Sequence, residues 1–127
     1  GASVEAQKIF ISAMEKSSPI REDLKHPGGD VEVWQEKRFI LRGKDGSITP
    51  GAFDRVVICR NEGMITHAEI ADYKSDNFKS VKDCSIYSGQ LEKYRESLAV
   101  LLGIEEKNIS CKIYALKLKK IVEIIPE

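Results

Sequence analysis

The chain of 127 residues has no long apolar run, and no window reaches the roughly 18 consecutive apolar residues that span a membrane. We therefore expect no membrane partner. The first residues carry no signal-peptide pattern either. With 42% apolar residues, four prolines and nine glycines, the composition argues against a disordered or fibrous chain. We expect one domain over residues 1–127, because compact domains usually have about 100–150 residues.

The chain also lacks an excess of either charge. Twenty Lys and Arg balance twenty Asp and Glu, so the formal net charge is zero. Bulk electrostatics therefore do not indicate nucleic-acid binding, and such a function must rest on local charge. The densest basic patch is Lys117, Lys119 and Lys120, and a solvated strand or turn explains it equally well.

Cysteine is scarce, and Cys59, Cys84 and Cys111 lie far apart without a C-x-x-C pair. An odd number of cysteines without a signal peptide is typical of reduced thiols in a cytosolic protein, so we expect a cytoplasmic location. The spacing supports neither a zinc nor an iron–sulfur site. We interpret the three as small buried hydrophobic residues.

The apolar pattern predicts the element order α-β-β-β-α-β-β. The predicted helices cover residues 4–16 and 86–102, the strands residues 31–42, 52–60, 64–74, 109–115 and 121–125, and polar connections residues 20–30 and 75–85. Gly103 is placed to end the second helix. Because the first three strands are close in sequence, an antiparallel meander is the simplest arrangement. The predicted class is α/β of an α+β-like kind, with one mixed sheet flanked by helices.

Two charged side chains interrupt the apolar third strand. Asp72 and Lys74 face the same way, with Cα atoms about 7 Å apart, because alternate strand residues share a face. Ile70 shares that face, whereas Ala71 and Tyr73 take the other. Acids and lysines are seldom buried unless they are paired or functional.

Asp54 interrupts the second strand in a similar way. If the two strands pair through a turn at residues 61–63, Asp54 comes opposite Asp72, with Cβ atoms roughly 5 Å apart. Two carboxylates that close repel, so one takes up a proton unless a cation neutralises them. A divalent cation with oxygen ligands is the natural partner, and Lys74 beside it would orient water and stabilise negative charge.

A simpler interpretation of the spacing is a surface ion pair. Asp72 and Lys74 on a solvated sheet face would contribute about 0–1 kcal/mol. Exposed charge on antiparallel sheets is common, so the spacing alone favours this alternative.

Three segments resemble successive motifs of the RecB-type nucleases of the PD-(D/E)xK superfamily. They are Gly51-Ala52-Phe53-Asp54-Arg55, Ala71-Asp72-Tyr73-Lys74 and Tyr87-Ser88-Gly89-Gln90-Leu91-Glu92-Lys93-Tyr94. Family members typically read G-x-h-D-R, D-Y-K-T and Y-x-x-Q-h-x-x-Y, where h is apolar. Each motif alone is weak, but the three in order form a specific pattern. The resemblance covers roughly residues 31–125 and implies a restriction-endonuclease-like fold, with a central mixed sheet flanked by helices.

By resemblance, Asp54 and Asp72 are ligands of Mg²⁺ or Mn²⁺, the backbone carbonyl of Tyr73 completes the metal shell, and Lys74 is the catalytic lysine. Further candidate residues implied by the family pattern are Glu36, Tyr87, Gln90 and Tyr94, of which the Gln and the last Tyr would contact DNA or shape the site. The alternatives stay open: Tyr94 also fits an apolar helix stripe, and Glu36 also fits an exposed strand position.

The sequence departs from the family pattern at two points. Ser75 stands where Thr is common, which keeps a hydroxyl. The upstream metal-binding histidine is missing from the helix at residues 4–16, and we interpret His26 and His67 as surface histidines.

The chain begins with Gly1, so residues 1–3 are either an expression remnant or the start of a fragment. The resemblance implies the second, namely the C-terminal exonuclease part of a DNA-repair or recombination helicase–nuclease of the RecB or AddAB type. The implied partners are DNA and the remaining helicase domains or subunits.

The leading hypothesis is therefore a metal-dependent DNA nuclease domain. One alternative is a catalytically inactive module on the same fold, with a structural or DNA-binding role. A third interpretation, a protein-interaction domain unrelated to nucleases, requires the three motifs to be coincidental.

Overall fold

The computed structural model describes residues 4–14, 19–25, 28–42 and 45–124. Their elements are α1 Val4–Ala13, α2 Pro19–Asp23, β1 Val31–Arg42, β2 Ile48–Asn61, β3 Met64–Lys74, α3 Ser88–Leu102, β4 Ile109–Ala115 and β5 Lys120–Ile124. Two short 3₁₀ helices, Val81–Tyr87 and Glu106–Asn108, precede α3 and β4. The class is α+β, with one five-stranded mixed sheet flanked by helices.

The strands lie side by side in chain order, from β1 to β5. β1, β2 and β3 form the predicted antiparallel meander. β4 pairs with β3 in parallel, and β5 returns antiparallel to β4. A parallel pair needs a long crossover, which the segment containing α3 supplies. The predicted mixed sheet is confirmed.

The connection between β2 and β3 is a two-residue turn. Asn61 pairs with Met64 across it, and Glu62 and Gly63 both have positive φ, at 52° and 81°. Two positive φ angles are the requirement of a type I′ turn, whose twist matches that of antiparallel strands.

A β-bulge follows this turn. The register shifts by one between Cys59 and Arg60, which leaves Thr66 as an extra residue in β3. Beyond the bulge, the strands pair in one register as far as Arg55 and Ala71. One residue further, this register places Asp54 opposite Asp72, as predicted. Without the extra residue, the register would slip by one residue, and the two carboxylates would lie on different faces of the sheet.

The side-chain alternation of the β1–β2 hairpin breaks beside Asp54. Phe53 and Val56 are three residues apart and would face opposite sides of a regular strand, yet both lie in the same core cluster. Phe39, from β1, stacks on Phe53 with ring centroids 4.3 Å apart. Glu36, the β1 residue level with Asp54, has a positive φ of 51°. This break puts the aromatic end of the hairpin on the side of the sheet that α3 covers.

The sheet has a packed layer on each side. One cluster packs α3 against the sheet and includes Phe53, Val56, Ile58, Ile70, Leu91, Leu98 and Ile113. The second packs α1 and α2 against the opposite side and contains Ala13, Ile20, Ala71, Tyr114 and Leu116. As predicted, Ile70 lies on one side of β3 and Ala71 on the other.

Several predicted boundaries were wrong. Residues 20–30 are not all loop, because α2 begins at Pro19, a favourable first helical residue, and buries Ile20. β2 begins at Ile48 rather than at residue 52, since its hairpin with β1 continues past the β3 pairing. α3 begins at Ser88 rather than at residue 86, because the predicted polar connection ends in a 3₁₀ helix.

The helix termini were predicted with mixed success. α1 ends at Ala13, earlier than predicted, and residue 16 lies outside the described residues. Gly103 ends α3 with φ of 67°, which confirms the predicted C-terminal glycine. β5 covers residues 120–124, and residue 125 is not among those described.

None of the helices in the described part of the chain combines the length and apolarity needed to cross a membrane.

Cys59, Cys84 and Cys111 are all free thiols. Cys84 and Cys111 are buried, as predicted, whereas the prediction was wrong for Cys59, which is only partly buried.

Candidate metal-binding and catalytic site

The candidate site lies where β2 and β3 stop pairing. Their ladder ends one residue short of Asp54 and Asp72. Asp54 Oδ2 accepts a hydrogen bond of 2.8 Å from the backbone N–H of Tyr73. The Asp54 side chain therefore takes the position of a strand partner and is held beside β3.

The pKa of Asp54 is strongly perturbed. Burial, followed by the hydrogen bond and the negative charge of Asp72, raises the pKa of Asp54 to about 7, against the opposing effects of the Tyr73 N–H and Lys74. A carboxyl group with such a pKa is partly protonated near neutrality. When Asp54 is ionised, the two carboxylates carry more negative charge than Lys74 neutralises.

Asp72 is the more deeply buried of the two, at 5% exposure. Its Oδ2 is enclosed, with almost no exposed surface. The Lys74 ammonium lies 2.8 Å from this oxygen and forms an ion pair with it. A cation bound to Asp72 would therefore share this carboxylate with Lys74.

Lys74 occupies the centre of the site. Besides its ion pair with Asp72, its Nζ donates to Gln90 Oε1 at 3.4 Å and lies 4.1 Å from the ring centroid of Tyr87. Burial would lower the pKa of Lys74, but the hydrogen bond and charge of Asp72 outweigh this effect and raise it. The ammonium therefore stays protonated. The predicted surface ion pair is not what the structure shows, because the side chains are only 18% and 7% exposed.

α3 supplies the outer wall of the site. Gln90 Nε2 donates to Tyr94 Oη at 3.4 Å, so the two residues of the third motif contact each other. The Tyr94 ring packs edge-on against Phe39 and Phe53, with centroids 5.2 and 5.6 Å apart. Tyr94 thus combines a core ring with a hydroxyl group at the site.

Of the remaining predicted site residues, Tyr73 brings its backbone to the site, whereas Glu36 does not act on the carboxylates. In a strand, the N–H and C=O of one residue point to the same neighbour, so the Tyr73 carbonyl points towards β2, as its N–H does. The Tyr73 ring lies on the other side of the sheet, stacked on Tyr114. Glu36 is exposed, and its charge acts on the pKa of Tyr73. The groups that shift the pKa of Asp54 are instead Asp72, the Tyr73 N–H and Lys74.

Neither histidine joins the carboxylates in the described structure. His67 is exposed and lies five residues before Asp72 in β3, about 17 Å along the strand. Its Nδ1 shares a hydrogen bond of 3.1 Å with the Thr66 hydroxyl. His26 lies outside the described residues.

The donor set fits a hard divalent cation. Among residues 4–14, 19–25, 28–42 and 45–124, no group of three or more His, Cys, Asp and Glu side chains comes together as a metal site. Two carboxylates with one carbonyl are nevertheless typical of Mg²⁺, which binds oxygen ligands and retains several waters. A cation between Asp54 and Asp72 would offset the negative charge of both carboxylates and lower the raised pKa of Asp54.

Sequence reasoning missed a second buried polar cluster, on the opposite side of the sheet. Lys112 forms ion pairs with Asp23 and, at 2.5 Å, with Glu69, while the Tyr114 hydroxyl donates to Asp23 at 2.5 Å. Arg55, 3% exposed, donates to the Leu24 carbonyl at 3.3 Å. The sequence signal for this cluster was Lys112 in the middle of the apolar strand β4.

Asp76 was also missed. Its Oδ2 accepts a hydrogen bond of 2.7 Å from the Tyr87 hydroxyl. Asp76 lies two residues beyond Lys74, inside a stretch interpreted only as a polar connection. No local sequence pattern distinguishes it from other loop aspartates.

No family model and no curated protein sequence matches the chain.

Proposed function

We propose that this chain is a metal-dependent DNA nuclease domain of the RecB type, within the PD-(D/E)xK superfamily. The observation that carries the proposal is the uncompensated carboxylate pair beside a buried lysine. When Asp54 is ionised, Asp54 and Asp72 bring two negative charges to one enclosed place, where Lys74 supplies one positive charge. A protein core keeps such an excess where a cation binds.

Each side chain has a definite task in this proposal. Asp54, Asp72 and the Tyr73 carbonyl would hold Mg²⁺ or Mn²⁺, and the bound cation would polarise the scissile phosphate and activate water. Lys74 stays protonated and presents its ammonium next to the metal ligands, where it stabilises the negative charge that develops on the phosphate. Hydrolysis needs no covalent enzyme intermediate.

The sheet topology supports the same proposal. An antiparallel meander followed by a helical crossover to a parallel strand is compatible with the restriction-endonuclease-like core that the motif resemblance implies. All three motif segments meet at one place, since Lys74 contacts Gln90 and Asp54 contacts the Tyr73 backbone.

The wider context follows from the resemblance. We infer that the domain is the C-terminal exonuclease part of a cytoplasmic helicase–nuclease in DNA repair or recombination. DNA and the helicase domains or subunits would be its partners, and these would bring DNA to a domain of zero net charge.

A catalytically inactive nuclease-fold module is the second candidate. The observation that favours it is the ligand count, because Asp54 and Asp72 are the two acidic side chains that the described structure brings to this site. Such a module would keep a structural or DNA-binding role without binding the cation.

A calorimetric Mn²⁺ titration of the chain tests the proposal. Asp72→Ala removes the buried ligand, and Glu96→Ala, which changes an exposed acid of α3, is the matched control. Mn²⁺ suits the same oxygen ligands as Mg²⁺. We expect binding in the wild type and in Glu96→Ala, and loss of binding in Asp72→Ala.

Cleavage of linear DNA in Mg²⁺ is then measured on the same three proteins. Cleavage that disappears only in Asp72→Ala supports the nuclease. DNA binding without Mn²⁺ binding would favour the inactive module with a DNA-binding role, and absence of both would reject the metal-dependent nuclease.

A further inference from the structure

A chain of two contacts leads from Asp76 to the Lys74 ammonium. The Tyr87 hydroxyl donates to Asp76 Oδ2 at 2.7 Å, and the Tyr87 ring lies with its centroid 4.1 Å from Lys74 Nζ. We propose that Tyr87 is a positioning residue for Lys74 and that Asp76 acts through it by fixing the ring. The inference rests on the proposed function, because only a nuclease gives Lys74 a catalytic role.

Three groups surround the Lys74 ammonium. Lys74 carries three N–H donors on a flexible four-carbon stem. Asp72 faces it at 2.8 Å, Gln90 Oε1 accepts at the long distance of 3.4 Å, and the Tyr87 ring presents its negative face. The Gln90 hydrogen bond lies beyond the usual range of such bonds, so the Tyr87 ring is a main partner of the ammonium besides Asp72.

The ring becomes more important once a cation binds. If Asp72 held a divalent cation, the Lys74 ammonium would share that carboxylate and be repelled by the second positive charge. The ion pair with Asp72 would then weaken, whereas the contact with Tyr87 does not depend on that carboxylate. Tyr87 would therefore keep the Lys74 ammonium beside the scissile phosphate when Lys74 shares Asp72 with a cation.

The backbone explains why Asp76 can fix the ring. Asp76 lies two residues after Lys74, whereas Tyr87 ends the 3₁₀ helix that leads into α3. Their hydrogen bond joins the end of β3 to the start of α3. The other side of the Tyr87 ring meets Phe78 edge-on, with centroids 6.3 Å apart. Loss of the hydrogen bond would leave the ring free to turn about that contact.

NMR spectroscopy of the full chain reads the position of Lys74 directly. Protons over a ring face are shifted upfield, so the Lys74 ε-protons should resonate upfield of those of other lysines and show nuclear Overhauser effects to the Tyr87 ring. Tyr87→Leu should abolish both signals. Asp76→Ala and Tyr87→Phe should each reduce them, because each removes the same hydrogen bond.

The design includes a coupling test and a control. In the Asp76→Ala, Tyr87→Phe double variant we expect no further reduction, because the bond can be lost only once. Asn77→Ala is the matched control, since its side chain is exposed and accepts from Lys117 instead of contacting the site. Tyr87→Phe preserves the ring volume, so it remains informative should a larger change prevent folding.

The outcomes separate the positioning role from the proposed function. Lys74 signals in Asp76→Ala and Tyr87→Phe that match those of Asn77→Ala would overturn the positioning role. In Mg²⁺ we expect kcat for DNA cleavage to fall by about tenfold to a hundredfold in Tyr87→Leu with little change in KM, as for a misplaced catalytic group. An unchanged kcat in an active enzyme rejects the positioning role alone. A wild-type chain that neither binds Mn²⁺ nor cleaves DNA rejects the nuclease, whatever the Lys74 signals show.

Discussion

The two sides of the sheet each bury a polar cluster, and the clusters differ in their charge balance. On the side of α3, Asp54 and Asp72 face the single ammonium of Lys74. On the side of α2, Asp23 and Glu69 face two cations, Lys112 and Arg55. When Asp54 is ionised, the first cluster has an excess of negative charge, whereas the second is balanced.

The pKa values of the acids reflect this difference in charge balance. Burial would raise the pKa of Asp23, but hydrogen bonds from Lys112 and Tyr114 outweigh it and lower the pKa. The pKa of Asp54 instead rises to about 7. A cluster that neutralises itself ties elements together, whereas one that cannot is suited to bind a cation.

The largest expected effect is on catalysis, in Lys74→Ala. We expect DNA cleavage to fall by about 10²–10⁴-fold, the usual contribution of a positioned catalytic side chain. The fold should remain, since β3 keeps its ladder on both sides. Steady-state cleavage and circular dichroism measure the two properties. Retained cleavage would remove Lys74 from the mechanism.

Lys112→Ala should affect stability instead. It leaves Asp23 and Glu69, each about one third exposed, without their shared cation, and we expect a loss of about 1–3 kcal/mol of unfolding free energy. Urea denaturation measures this loss. Mn²⁺ affinity per folded molecule should be unchanged, and a fall in that affinity would show that the two clusters are not independent.

The two clusters should respond to pH with opposite signs. Because folding raises the pKa of Asp54 from 3.8 to about 7, the unfolded chain loses this proton first, and the Asp54 contribution to stability falls as pH rises between those values. The lowered pKa of Asp23 gives a contribution that is present above 3.8 and lost as pH falls below it.

Denaturation midpoints of Asp54→Asn and Asp23→Asn across pH 3–8 separate these contributions. Asp54→Asn should flatten the decline in stability as pH rises towards neutrality. Asp23→Asn should flatten the decline in stability as pH falls below 3.8. For the wild type at pH 8, Mn²⁺ at a hundred times its Kd should add about 2.7 kcal/mol. An identical pH profile in Asp54→Asn and wild type would contradict the proposed carboxylate repulsion.

The smallest expected effect belongs to Tyr114→Phe. It removes one hydrogen bond to Asp23, worth about 1 kcal/mol of unfolding free energy, while Lys112 still neutralises that carboxylate. Cleavage should be unaffected. Thermal denaturation detects the change, and a loss as large as that in Lys112→Ala would mean that the hydroxyl, rather than the charge, holds α2.

The register of β2 and β3 shows how far sequence reasoning reached. Counting outward from Gly63 predicted that Asp54 faces Asp72, and the ladder, which ends at Arg55 and Ala71, has the register that places them opposite each other. The turn is in fact centred between Glu62 and Gly63, and the extra residue Thr66 restores the predicted register. A single bulge leaves no clear mark in sequence, because many residue types occupy it.

The sequence by itself determined the strands, the helix α3 and the grouping of Asp72 with Lys74, because these depend on local periodicity. Only the tertiary structure decided that Asp72 Oδ2 is enclosed, that Tyr87 covers Lys74 and that Lys112 is neutralised by Asp23. Burial and charge balance arise from residues far apart in the chain, from Asp23 to Lys112, and no local pattern records which of them meet.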